Sequence, residues 1–185
     1  DAVSVHWQTR GASSGQLHYR KKEQVSSSEE SAWKMITYER SQRHRVRLHH
    51  LEAGQKYEYR IQSDVGEVAG PYEFWTWPEM ANDYSTPADN DSLRLWILGD
   101  PGVNSQLSSA VRRSAENWLQ KHRRPAKPLL DLWLTTGDNA YTSGRNREYQ
   151  DAIFEPYQAW LARFALIPAY GNHDARRWAF FDIFE

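Results

Sequence analysis

Three short segments of this 185-residue sequence carry side chains able to hold hard cations: Gly99-Asp100, Gly137-Asp138 and Gly171-Asn172-His173. Two carboxylates, an amide oxygen and a nearby imidazole suit hard or borderline divalent and trivalent metals, not soft ones. Each segment ends an apolar run: Leu93-Arg94-Leu95-Trp96-Ile97-Leu98, Asp131-Leu132-Trp133-Leu134-Thr135-Thr136 and Ala165-Leu166-Ile167-Pro168-Ala169-Tyr170. A single Gly-Asp pair is ordinarily a turn. Three polar groups at strand ends, 38 residues apart (100 to 138) and then 34 (138 to 172), point to one shared site.

The elements that must position these groups follow from periodicity. Val103, Leu107, Ala110, Val111, Ser114, Trp118 and Leu119 recur near helical spacing between the first two strands. Arg123-Arg124-Pro125-Ala126-Lys127-Pro128 breaks that helix. Tyr149, Ile153, Phe154, Tyr157, Trp160, Leu161 and Phe164 form a second stripe, with Pro156 expected to start its second piece. Strand–helix–strand–helix–strand is the order of an α/β layer with parallel strands. In such sheets ligands gather beyond the carboxyl ends of the strands, so neighbouring strands would direct the three segments into one crevice.

Residues 1–77 read differently, as an all-β module. Val3, Val5 and Trp7 alternate with polar residues, as do Leu17 and Tyr19, Val46 and Leu48, and Tyr57, Tyr59 and Ile61. Gly11-Ala12-Ser13-Ser14-Gly15, Ser26-Ser27-Ser28 and Asp64-Val65-Gly66 read as turns between short strands. An antiparallel sandwich follows, with Tyr72–Thr76 as the closing strand. Leu51–Tyr59 has the tight turn and Tyr-x-Tyr of a tyrosine corner and resembles a fibronectin type III-like module, with Ala53 where that turn usually has Pro. Residues 78–92 hold two Pro and several Asn, Asp and Ser without an apolar period, and read as a linker.

Composition removes several classes of function. The sequence has no Cys, which excludes disulfide scaffolds and thiolate metal sites. Its 23 basic and 24 acidic residues leave a net charge of −1, unlike a basic nucleic-acid binder. No run approaches the ~20 apolar residues of a membrane span. The chain opens inside a strand pattern, as expected after loss of a leader or from a late start, and a secreted, periplasmic or extracellular location is expected.

The segments also form ordered blocks: Gly99-Asp100-Pro101-Gly102, Gly137-Asp138-Asn139-Ala140-Tyr141 and Gly171-Asn172-His173-Asp174. With a β-module ahead of them, they make the sequence resemble a purple acid phosphatase, of the calcineurin-like metallophosphoesterase superfamily. Most other metallophosphoesterases have His where this chain has Gly102, and the purple acid phosphatases supply Tyr from the second block, here Tyr141. The resemblance implies two metal ions, Fe(III) and a second Fe, Zn or Mn. It assigns Asp100 and Tyr141 to the first, Asp138 to both and Asn172 to the second. His173 would contact the phosphate and protonate the leaving alkoxide, with Asp174 orienting it.

Two further family blocks, Val-x-x-His and Gly-His-x-His, supply three His ligands, and neither occurs before Glu185. His6, His18, His44, His49, His50 and His122 lack that spacing. Residues 93–185 are therefore expected to be the first half of an αββα-type domain, with weak metal binding and no turnover by these 185 residues alone. The expected activity is hydrolysis of phosphate monoesters. Alternatives are a metal-dependent phosphodiesterase or nucleotide hydrolase, and a non-catalytic extracellular binding module with an incomplete metal site. Arg145, Arg147, Arg176 and Arg177 flank the blocks as candidates for phosphate steering, and Arg123–Lys127 reads as a solvated loop.

Overall fold

Strand alternation extends further than the turn signals allow. The computed structural model describes residues 2–22, 32–66, 68–77 and 93–184. The expected linker at 78–92 and turn at 26–28 lie outside them. The chain divides into two compact units, Asp1–Ser85 and Thr86–Glu185.

The first unit is one four-stranded antiparallel sheet in the order β2-β1-β3-β4, from β1 (Ala2–Lys21), β2 (Lys34–His49), β3 (Lys56–Ser63) and β4 (Val68–Trp75). The stretches around Val5 and around Leu17, expected as separate strands, are both in β1. Gly11–Gly15 does not reverse the chain but is absorbed as an irregularity, with register shifts between Gln8 and Ser13 and again before Gly15. Ser14 fixes it there by a 2.7 Å hydrogen bond from its hydroxyl to Asp64. Before the shift Val3 pairs with Leu48 and Val5 with Val46; after it Leu17 lies between Ile36 and Ile61. Side chains from both halves share one core with Tyr19, Tyr57, Tyr59 and Phe74. The sheet therefore bends and packs on itself, consistent with a sandwich. The phenol oxygen of Tyr57 accepts the backbone N–H of Glu52 at 2.9 Å, the contact of a tyrosine corner.

His44 is buried in this core, stacked on Trp7 at 4.8 Å and edge-on to Tyr38 at 4.7 Å. Burial lowers its pKa, more than a backbone hydrogen bond at Ser41 restores it.

The second unit is built on three short parallel strands, β5 (Leu95–Leu98), β6 (Leu132–Thr135) and β7 (Leu166–Pro168), neighbours in that order. Helix α1 (Gln106–Lys121) is started by Ser105, whose side chain accepts the amide of Ser108 while Ser108 returns a bond to its backbone. The second apolar stripe forms α2 (Asn146–Tyr149), a π turn over Gln150–Phe154 and α3 (Gln158–Leu161). Pro156 lies between the pieces rather than starting α3; it has no N–H to continue a ladder. The last helix is α4 (Ala179–Phe184). Leu119, Leu130, Trp133, Ile153, Tyr157 and Trp160 form a core beside the sheet, with Trp96 stacked on Trp133 at 5.4 Å. Among the described residues no helix is long and apolar enough to cross a membrane.

Two outcomes test the first unit. Tyr57→Phe should cost about 1 kcal/mol in urea unfolding, by leaving the Glu52 amide without its acceptor. Because the fold depresses the pKa of His44, its contribution to stability is present above the unfolded value of about 6.5 and is lost as pH falls toward the folded value. The unit should therefore be less stable at about pH 5 than at about pH 7.5, and His44→Phe should flatten that dependence. His18, also lowered by burial and by Arg60, leaves a slope of the same sign.

Candidate functional site

Parallel pairing of β5, β6 and β7 brings Gly99-Asp100, Gly137-Asp138 and Gly171-Asn172 to the same end of one sheet. The loops then meet at backbone level. The amide of Gly102 donates to the carbonyl of Asp138 at 3.1 Å, and the amide of Tyr141 donates to the carbonyl of Gly102 at 3.0 Å. A methyl group on Gly102 would stand 2.7 Å from the Tyr141 ring and 2.7 Å from the Asp138 carbonyl. On Gly171 it would stand 2.2 Å from Oδ1 of Asp138. Both positions are glycine because another loop occupies the space of a side chain.

Within this arrangement the Tyr141 hydroxyl hydrogen-bonds the Asp100 carboxylate and lies 3.1 Å from Oδ2 of Asp138. The hydrogen bond to Asp100 is the main cause of a large upward shift of the Tyr141 pKa, followed by desolvation and Asp138. Asp100 and Asp138 both adopt left-handed backbone, at φ 50° and 54°. Non-glycine residues hold that conformation where the surroundings impose it, often at functional sites.

His173 joins from the third loop. Its amide donates to Oδ1 of Asp138 at 2.9 Å, and its ring sits edge-on to Tyr141 at 4.5 Å between centroids. Its Nδ1 lies 2.8 Å from the carbonyl oxygen of Thr142. A carbonyl only accepts, so Nδ1 carries hydrogen and Nε2 is left for other chemistry. Asn172 is exposed on the turn between Gly171, which touches Asp138, and His173. The structure thus joins Asp100, Asp138, Tyr141 and His173 by direct contacts and sets Asn172 beside them.

Asp174 differs from the expectation. It does not touch the His173 ring but is fully buried, receiving hydrogen bonds from Asn139, Tyr149 and Gly171. The backbone turns inward after His173, so the two side chains part. Desolvation and this hydrogen bond both raise the Tyr149 pKa. Two partners were missed in the sequence. Asn139 is only an unspecified position of its block. Glu148 accepts the amides of Thr142, Ser143 and Arg145 at 2.9, 3.1 and 2.8 Å, holding the chain that follows Tyr141. A glutamate three residues into a helix start was the signal available for it.

The cationic candidates separate. Arg124 pairs with Asp131 at 2.7 Å, at the opposite end of β6, and serves the entry to that strand. Arg176 donates to the Thr142 carbonyl that also holds His173. Arg145 and Arg177 line an open concavity of about 420 Å³ with Asn146 and Ala179.

Among the described residues no group of three or more His, Asp or Glu side chains is arranged to hold a metal ion. The oxygen donors that do converge are two carboxylates and a phenol, with an amide beside them, and such a set fits a hard cation.

Residues 1–76 match a family model described as the purple acid phosphatase N-terminal domain. A solved structure titled "Structure of PhoD" superposes with a TM-score of 0.54 at 15% identity, covering 94% of this chain and 37% of that one. A "NOI-like protein" of Elaeis oleifera is 25% identical over 114 residues, which is 59% of this chain and 50% of that protein. The chain spans about half the length of that curated relative. Residues 1–76 are thus similar to the N-terminal β domain of purple acid phosphatases, and the likeness to the PhoD structure is one of fold.

Gly102→Ala should destabilise the second unit by about 1–3 kcal/mol in denaturant unfolding, the cost of overpacking. The sign is diagnostic, because Gly→Ala at an uncrowded, compatible site stabilises.

Proposed function

We propose that the protein hydrolyses phosphate monoesters with two metal ions, Fe(III) and a second Fe, Zn or Mn. Asp100 and Tyr141 would hold the first, Asp138 would contribute to both, and Asn172 would hold the second. Such ions, when bound, neutralise a phosphate dianion and supply hydroxide at modest pH. The observation that carries this reading is the convergence of Asp100, Asp138 and Tyr141 at one sheet end, with His173 packed on Tyr141. The N-terminal family match supports it independently.

The chain's own residues have distinct tasks in this reading. Tyr141 brings its oxygen between two carboxylates, where a cation would displace the phenolic proton. Glu148 holds the following turn, and so fixes where that oxygen stands. In its doubly protonated form His173, with Nδ1–H committed to Thr142, would give its Nε2 proton to the leaving alkoxide. Arg145 and Arg177 would attract anionic substrate to the concavity that they line. That concavity favours, as a second reading, nucleotides or diesters that bring another anionic group. We place the activity outside the cytoplasm, as a secreted or periplasmic enzyme.

The test uses the protein with every residue its gene encodes. Hydrolysis of p-nitrophenyl phosphate should vanish on chelation and return with iron plus zinc or manganese. His173→Ala should lower kcat by about 10²–10⁴. Tyr141→Phe should remove a visible tyrosinate–Fe(III) absorption band. Turnover indifferent to chelator, or a band that survives in Tyr141→Phe, would overturn the assignment. Relative kcat/KM for a nucleotide and for a simple monoester separates the two substrate readings.

A further inference from the structure

A buried carboxylate is costly unless hydrogen bonds replace its hydration. Asp174 has no solvent exposure. Among the described residues no Lys or Arg pairs with it. Its charge is instead met by donors. Oδ2 accepts the Gly171 amide at 2.9 Å and the Asn139 side-chain amide at 2.9 Å. Oδ1 accepts the Tyr149 hydroxyl at 2.6 Å and the backbone amide of Asn139 at 3.1 Å. Asn139 is itself held, by the Thr135 hydroxyl on its oxygen and by donation to the Ala169 carbonyl at 2.8 Å.

The two backbone donors have a specific place in the chain. Residue 139 follows Asp138, and residue 171 precedes Asn172. We propose that Asp174 is a positioning residue, setting the separation of the second and third loops through the amides of Asn139 and Gly171. It thereby fixes Asp138 and Asn172 relative to each other from behind, without contacting anything either would bind. The consequence for metal rests on the reading under Proposed function; the clamp itself does not.

The acceptor-only chemistry of a carboxylate is what the site uses. Four donors converge on two oxygens, so an amide at 174 would turn an NH2 group toward at least one N–H or O–H. Removing one anchor also releases Asp138 from a left-handed conformation that the loop must impose, at φ 54°. A residue serving only general stability would loosen the whole unit. A positioning residue loosens two amides.

The experiment has two arms, both on the protein with every residue its gene encodes. In the first, amide hydrogen exchange is followed by NMR on metal-free protein. Asp174→Asn should accelerate exchange at Asn139 and Gly171 by about tenfold, with β5 and α1 unchanged. Tyr149→Phe keeps the carboxylate and both amides and removes one anchor. It should accelerate the same two positions by less, and it serves if Asp174→Asn does not fold. Unchanged exchange at both positions, or a uniform increase across the unit, refutes the clamp. In the second arm, Zn(II) and Mn(II) are titrated directly. Asp174→Asn should weaken binding by about 10–100-fold, the usual effect of losing a group behind a ligand. Binding as tight as wild type refutes the link to the ligands. Wild-type protein that binds neither ion would sink the metal reading itself, and the exchange arm would still decide the clamp.

Discussion

Everything at the candidate site depends on three loops approaching until only hydrogen atoms fit between them. Gly102 lies against the Asp138 carbonyl and the Tyr141 ring, and Gly171 lies against Asp138. At that range position is set by backbone contact rather than by the reach of flexible side chains. Two aspartates keep left-handed backbone in consequence. Strain of this kind persists only where the surroundings over-determine it. Here the surroundings are a parallel sheet with its strands in sequential order and a buried polar knot beneath the loops.

The sheet contributes rigidity as well as order. Trp96 and Trp133 stack across β5 and β6, and Tyr157 and Trp160 close on them from the helical layer. Large rings bury much area with few rotatable bonds. The strands are only three or four residues long, so this aromatic packing carries much of the duty of keeping their ends together. The loops thus project from a stiff base, and the polar network needs to specify only the last few ångströms.

Much of this was legible in the sequence, for definable reasons. The parallel layer announced itself by three apolar runs separated by helical stripes, and the candidate residues stood at the run ends. Gly11–Gly15 misled because a glycine- and serine-rich stretch signals a break, and a break in a ladder can be a turn or a bulge. Partners distant in sequence, among them Asp64 fifty residues away, select between them. The helical stripe around Pro156 showed its apolar face but not its π turn, which depends on how one turn stretches. Glu148 left only a helix-start signal, because it acts on backbone amides, and Asn139 left none, because its side-chain partners Thr135, Ala169 and Asp174 are brought to it by the fold. Asp174 was visible but given the wrong neighbour, since adjacency to His173 in sequence says nothing about which way the turn points.

The lack of room at residue 102 constrains how the first two loops can change. A methyl group there would meet the Tyr141 ring at 2.7 Å, the Asp138 carbonyl at 2.7 Å and the Ala140 amide at 2.8 Å. Trimming the ring alone would leave two backbone groups in the way. A larger residue at 102 therefore asks the whole second loop to move, so the two loops tolerate alteration only together.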